Sequence, residues 1–195
     1  MKSPETIFRF RVTLRVIEPP IWRVIDVPSD CSFWDLHRAI QCSMGWLDCH
    51  LHCFRVRSSS SRKPVLIGLP DVEMPCLASK RTKLRTYLAK PGASAVYEYD
   101  FGDGWEHTVT LEGVLLAEPG QAYPRCVTGE RKGPPEDVGG SGGYEEFLKA
   151  IGSKRHPEHR TMLEWYGGPY DPEEFHPESV RFDAASSRKR KAARH

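Results

Sequence analysis

No run of about 18 apolar residues occurs anywhere in this sequence, so a transmembrane helix is excluded. An export signal is not expected either. The opening MKSPETIFRF carries Pro4 and Glu5 where a signal peptide needs uninterrupted apolar residues, so secretion is not expected and the chain reads as cytoplasmic. No serine sits in a Gly-x-Ser-x-Gly elbow, and no glycine run carries the lysine of a P-loop or the spacing of a dinucleotide fingerprint. Asp100-Phe101-Gly102 matches one kinase triplet, but the glycine-rich loop and the catalytic loop that would give it meaning are missing. These absences remove the commonest covalent and nucleotide-driven chemistries.

What is present suits one ordinary core. The 195 residues are 39% hydrophobic and 28% charged, with five Trp, eight Phe and seven Tyr, enough for a single domain. Six cysteines (31, 42, 49, 53, 76 and 126) are read as reduced, because a chain of this length without an export signal needs no staples. The net charge of +2 conceals an asymmetry. Arg188, Lys189, Arg190, Lys191 and Arg194 crowd the last ten residues; without those five of 28, 23 basic residues face 26 acidic ones, a body of about −3. The expected organisation is a domain over 1–185 and a basic, disordered tail over 186–195, which can touch phosphate non-specifically or merely solubilise the end.

Phe8, Phe10, Val12, Leu14 and Val16 alternate with Arg9, Arg11, Thr13 and Arg15, the period of a strand with one wet face. Glu18-Pro19-Pro20 ends it, and a second strand runs from Ile21 to Val27. Ser32 and Asp35 fit a capping box, and Phe33, Leu36, His37, Ile40 and Met44 follow helical spacing up to Gly45. His50, His52, Phe54 and Val56 read as one face of a further strand. Ser58 to Lys63 is a polar break, Val65 to Leu69 a short strand, and Thr82 to Leu88 a turn or short helix. Arg131 to Gly143 reads as an ordered loop. Helices follow at Tyr144 to Gly152 and after Pro157, the latter with His159, Met162, Leu163 and Tyr166 inward. The fold class is α+β: a single compact domain with a mixed or antiparallel sheet, an N-terminal strand pair, a packed helix, a central hairpin and C-terminal helices.

The densest chemistry lies in Tyr97-Glu98-Tyr99-Asp100-Phe101-Gly102-Asp103-Gly104-Trp105-Glu106-His107, two alternating strands around an acidic glycine turn, with Tyr97, Tyr99 and Phe101 expected to face one way. With His50 and His52 two apart on one strand face, Asp100, Asp103 and His107 complete a candidate set for Zn or Mn, and Glu106 or Glu136 is the candidate base on a bound water. The plainer alternative makes His52 and His107 core histidines and turns the aspartates into acceptors for backbone N–H groups. A Cys49 or Cys53 thiolate paired with its neighbouring histidine is disfavoured, since strand neighbours point to opposite faces. Arg9, Arg11 and Arg15, with Arg23, Arg55 and Arg57 on other strands, form the candidate nucleic-acid face; a solvated strand face is the alternative.

Several stretches, in order, resemble the plasmid pRiA4b ORF-3-like family, whose members are often labelled TnpR-like passenger proteins of IS1096-type elements. They are Pro19-Pro20-Ile21-Trp22-Arg23, Leu36 to Gln41, Met44-Gly45-Trp46 with His50 to Phe54, the Tyr97–His107 run, Pro124-Arg125-Cys126, Pro134 to Gly140, Gly143-Tyr144, Glu158-His159, Trp165, Gly167-Gly168 and Asp171-Pro172. The resemblance implies a compact α+β domain with a mobile-element association. It brings no serine- or tyrosine-recombinase signature with it. Many such proteins carry cysteines at the positions held here by Gly133 and Val138, so a metal knuckle built with Cys126 is not expected in this chain. Three functions remain open: a non-catalytic binding or accessory module linked to mobile-element DNA transactions, a divalent-metal-dependent hydrolase acting on phosphodiesters, and a protein-interaction scaffold.

Overall fold

A computed structural model describes residues 6–57, 63–70 and 75–182. The basic run at 186–195 and most of the polar break at 58–63 lie outside the described residues. In chain order the elements are β1 (Thr6–Leu14), β2 (Trp22–Pro28), α1 (Phe33–Met44), β3 (His52–Val56), β4 (Val65–Gly68), β5 (Leu77–Ala78), β6 (Ser94–Tyr99), β7 (Trp105–Leu116), β8 (Arg125–Glu130), α2 (Gly140–Gly152) and α3 (His159–Tyr166). The strands make one mixed sheet in the order β5-β4-β3-β6-β7-β1-β2-β8. Neighbours are antiparallel except β4 and β5.

The alternation in β1 does what its period dictates: Phe8, Phe10, Val12 and Leu14 are buried, with Arg9, Arg11 and Thr13 between them half-exposed. α1 starts on a complete capping box, in which Ser32 Oγ accepts from the Asp35 N–H at 3.3 Å and the Asp35 carboxylate accepts from the Ser32 N–H at 2.8 Å. It ends at Gly45, whose φ of 83° suits a residue without Cβ. The helix buries Phe33, Leu36, Ala39, Ile40 and Met44 and lies against β2 and β4. The Phe, Leu, Ile and Met side chains among these each contribute roughly 1.5–3 kcal/mol when removed from water.

The structure corrects four local expectations. The glycine run is not all loop: α2 begins at Gly140, because backbone there packs too closely for a side chain, and a Cβ on Gly140 would meet the Asp103 carbonyl oxygen at 2.5 Å. Phe101 does not share the inward face of Tyr97 and Tyr99, since Asp100 takes a φ of 54° and swings the chain outward. No residue of α3 is fully buried; Met162 and Tyr166 only flank the core. Arg23 is not on a wet face.

Arg23 is 1% exposed and has no carboxylate partner among the described residues. Instead its guanidinium donates to the carbonyls of Ser43, Trp22 and Glu130, each at 2.8 Å, and lies 3.7 Å over the Phe175 ring. Burial lowers its pKa to about 10, so it stays charged at neutral pH beside the C-terminal turn of α1, where the helix dipole favours a cation. One side chain thus ties α1, β2, β8 and the C-terminal segment together. Arg23→Met keeps the apolar stem but strands these acceptors, at roughly 1–3 kcal/mol for a buried unsatisfied group. Urea unfolding is expected to show a loss of about 3 kcal/mol; a change under about 1 kcal/mol would contradict this account.

Candidate metal centre

Three connections meet at one end of the sheet. β3 and β6 are antiparallel neighbours with His52 opposite Tyr99, and the Asp100 N–H continues the ladder to the Leu51 carbonyl at 3.0 Å. That extra bond sets residues 49–51, leaving α1, beside the turn at 100–104. The third connection, 131–139, is seated against both. Gly133 touches α1 so closely that a Cβ there would lie 2.2 Å from the Met44 carbonyl oxygen, Trp46 Nε1 donates to the Pro134 carbonyl at 2.9 Å, and the Gly139 N–H reaches Asp103 Oδ2 at 3.1 Å.

On this frame His50, Asp100 and Asp137 converge, each presenting a donor atom within 4.8 Å of the others. His50 Nε2 meets Asp137 Oδ1 at 2.8 Å and Asp100 Oδ2 at 3.5 Å. Asp100 divides its work. Oδ1 accepts from the Gly102 and Asp103 N–H groups at 3.0 and 3.4 Å, the turn-making role of a short acid, while Oδ2 faces the imidazole. Cys49, His50 and Glu136 form a second trio within the same span. Glu136 is anchored by the Leu47 N–H at 2.7 Å and the Tyr99 hydroxyl at 3.1 Å, and the Cys49 N–H also reaches that hydroxyl at 3.1 Å. Partial burial raises the Glu136 carboxyl pKa against the pull of those donors. Burial, then the Glu136 charge, pushes the Cys49 thiol and the Tyr99 phenol upward.

The other sequence candidates go elsewhere. His52 does not point where His50 points, because the strand begins only at His52 and Asp48, at a φ of 58°, turns the preceding residues out of its alternation. Its ring stacks on His37 at 3.7 Å, and its Nε2 faces Ser79 Oγ at 3.3 Å. The carboxylate-bonded histidine of the core is His37, held between Asp48 and the Tyr97 hydroxyl at 2.8 Å each. His107 is sealed beside Tyr97 and Trp46. Asp103 caps the glycine loop instead of joining the cluster. Glu106 faces away, bonded to Arg15 at 2.6 Å and to Arg55. Asp137, Cys49 and Tyr99 are the neighbours that the sequence reading left out of the set.

The arginine face is a ladder of partners. Arg9 makes a two-pronged pair with the buried Asp26 at 2.7 and 2.9 Å, shared with Arg125 at 3.0 Å. Arg11 lies 3.9 Å over the Trp22 ring, and Arg15 holds Glu106. A groove of about 980 Å³ adjoins the cluster, with Trp46, Asp48, Lys132, Glu136 and Trp165 among its walls, so Glu136 belongs to both.

The sequence profile of the plasmid pRiA4b ORF-3-like proteins matches residues 6–179. The chain belongs to this family. An uncharacterized protein of Sinorhizobium fredii, y4hQ, is 38% identical over 165 residues, covering 83% of this chain and 81% of y4hQ. The crystal structure of MM3350 from Methanosarcina mazei Go1, a protein of unknown function, superposes with a TM-score of 0.84 at 38% identity, over 92% of this chain and 99% of that one. These two relatives share the architecture, and their descriptions name no activity.

The buried histidine has a measurable consequence. Burial first, opposed by the Tyr97 and Trp105 backbones, lowers the His107 pKa from 6.5 to about 3, and its ring nitrogens make no well-formed hydrogen bond among the described residues. Between those values the unfolded chain binds more protons than the folded one, so stability is unaffected above pH 6.5 and falls as pH drops toward 3. His107→Phe is expected to shrink the stability lost between pH 7 and pH 4 by at least about 1 kcal/mol, read by urea titrations at both pH values. An unchanged pH dependence would assign the acid sensitivity to other groups.

Proposed function

We propose that this chain is an accessory module, working in DNA transactions of a mobile element, whose functional part is a divalent-cation site at His50, Asp100 and Asp137. The observation that carries this is the convergence of those three donors from three separate connections. Neighbouring ligands on one ion lie about 2.8–3.6 Å apart at metal–donor distances of about 2.0–2.2 Å, so the 2.8 and 3.5 Å separations already suit a shared cation. An imidazole with two carboxylates suits manganese, and the second trio around the same imidazole adds a thiol of the kind zinc takes. His50 is partly exposed and Asp137 largely so, which leaves coordination positions open toward solvent. An ion there offers a positive contact for a phosphate oxygen, as carboxylate-held cations commonly do.

The family description names a plasmid reading frame, which supports the mobile-element setting. The paired arginines of β1 lend the strand face little weight as the nucleic-acid contact; an ion on the acidic rim is the better route. A metal-dependent hydrolase acting on phosphodiesters is the second reading. It is favoured by one observation: Glu136, with its raised pKa, stands beside His50 where a base for a metal-bound water would be needed.

Elemental analysis of full-length protein purified without chelator, followed by calorimetric titration with zinc and with manganese, tests the site. Wild type is expected to bind one equivalent, with His50→Ala abolishing it and Asp100→Asn or Asp137→Asn weakening manganese at least about tenfold. Asn at 100 keeps the turn-making oxygen, so a lost site there is not a lost fold. Binding that ignores all three substitutions would remove the proposal.

A further inference from the structure

The two trios share one histidine but differ in chemistry, and that difference carries an inference resting on the cation site proposed above. We infer that the site discriminates between cation classes, with Cys49 and Glu136 closing on a thiophilic ion such as zinc and Asp100 and Asp137 closing on a hard ion such as manganese. The donors of both trios lie within 4.8 Å of each other inside each set, and His50 belongs to both. The identity of the ion therefore turns on which flank of the imidazole supplies the remaining ligands.

The thiol flank is prepared for this. In a regular strand, Cys49 and His50 would point to opposite faces. Here neither residue lies in a strand, since β3 begins only at His52, and their donor atoms come within 4.8 Å of each other. The segment is pinned on its inner side by the Leu47 N–H to Glu136 and the Cys49 N–H to the Tyr99 hydroxyl, so Cys49 sits on a held turn rather than a loose one. Cys49 is exposed, whereas Cys53 on the following strand is buried. An ion can reach the first and not the second. On coordination the thiol proton leaves to solvent and the sulfur bonds the metal as thiolate, which zinc accepts readily and manganese does not. Glu136 needs no large movement: its Oε1 takes both anchoring bonds at 2.7 and 3.1 Å, while Oε2 has only a long approach to Tyr99 at 3.4 Å.

The hard flank is built differently. Asp100 is fixed by its turn and Asp137 is largely exposed, an all-oxygen pair of the kind that manganese takes with imidazole. Because Glu136 also walls the groove, the choice of ion reaches the neighbouring surface: zinc engages that wall, and manganese leaves it on its protein partners.

The test is a crossed titration on the full chain with Cys49→Ser and with Asp100→Asn/Asp137→Asn. Cys49→Ser is expected to weaken zinc at least about tenfold and leave manganese unchanged, and the double aspartate variant to do the reverse. Two readouts on wild type need no variant. Cobalt(II), used as a zinc substitute, is expected to show a near-ultraviolet thiolate charge-transfer band, and zinc is expected to slow alkylation of the exposed thiol. Zinc that binds through His50 with no thiolate band, no thiol protection and no effect of Cys49→Ser would overturn this inference and leave the cation site standing. Failure of wild type to bind either ion would overturn both.

Discussion

The backbone bond from Asp100 to the Leu51 carbonyl is the constraint on which the candidate centre depends. It lengthens the β3–β6 ladder by one step, beyond His52 at the start of β3 and Tyr99 at the end of β6, and so holds two irregular connections in register. Without it, residues 49–51 and the turn at 100–104 would have no reason to keep a common level. The consequence is chemical: an imidazole and a carboxylate, 50 residues apart, face each other across the end of a sheet. The third connection is then set by contacts that tolerate no side chain, at Gly133 against α1 and at Gly140 against Asp103.

A second constraint acts on the opposite side of the same region. Arg23 places a buried charge among three carbonyls, and its interaction is cooperative in a structural sense: each acceptor comes from a different place, so none can move without exposing the others. Burying a cation without an acid is costly unless its hydrogen bonds are complete. The end of α1 is therefore a rigid origin from which the segment 45–51 departs. Tyr99 and Glu136 then clamp that segment from the other side. The candidate ligands sit on connections, but on connections as well tied as strands.

The arrangement of charge explains why the basic strand face and the histidine face have different characters. Arg9, Arg15, Arg55 and Arg125 are consumed by Asp26, Glu98, Glu106 and Glu118, which neutralises the outer sheet. The more exposed of these pairs, such as Arg15–Glu106 and Arg125–Glu118, add little stability, typically about 0–1 kcal/mol each. Their effect is to leave the rim with His50, Asp100 and Asp137 as a local site whose donors answer mainly to one another.

Much of the fold was legible because its causes are local. Alternation in β1, the Ser32–Asp35 box and the stop at Gly45 are decided within a few residues, and the strand-and-helix pattern of an α+β domain follows from them. The candidate site was legible in part: His50, Asp100 and Glu136 stood out as residue types in a suggestive order. The placement of His52 and His107 was not, because it follows from where a strand starts and from what packs above it. The same is true of Cys49, Tyr99 and Asp137, whose importance comes from neighbours 37 to 87 residues away in the chain. Local periodicity and capping belong to the sequence alone. Which histidine meets a carboxylate at the rim, and which is sealed in the core, belongs to the tertiary structure, because only long-range strand pairing and burial bring the partners together or keep them apart.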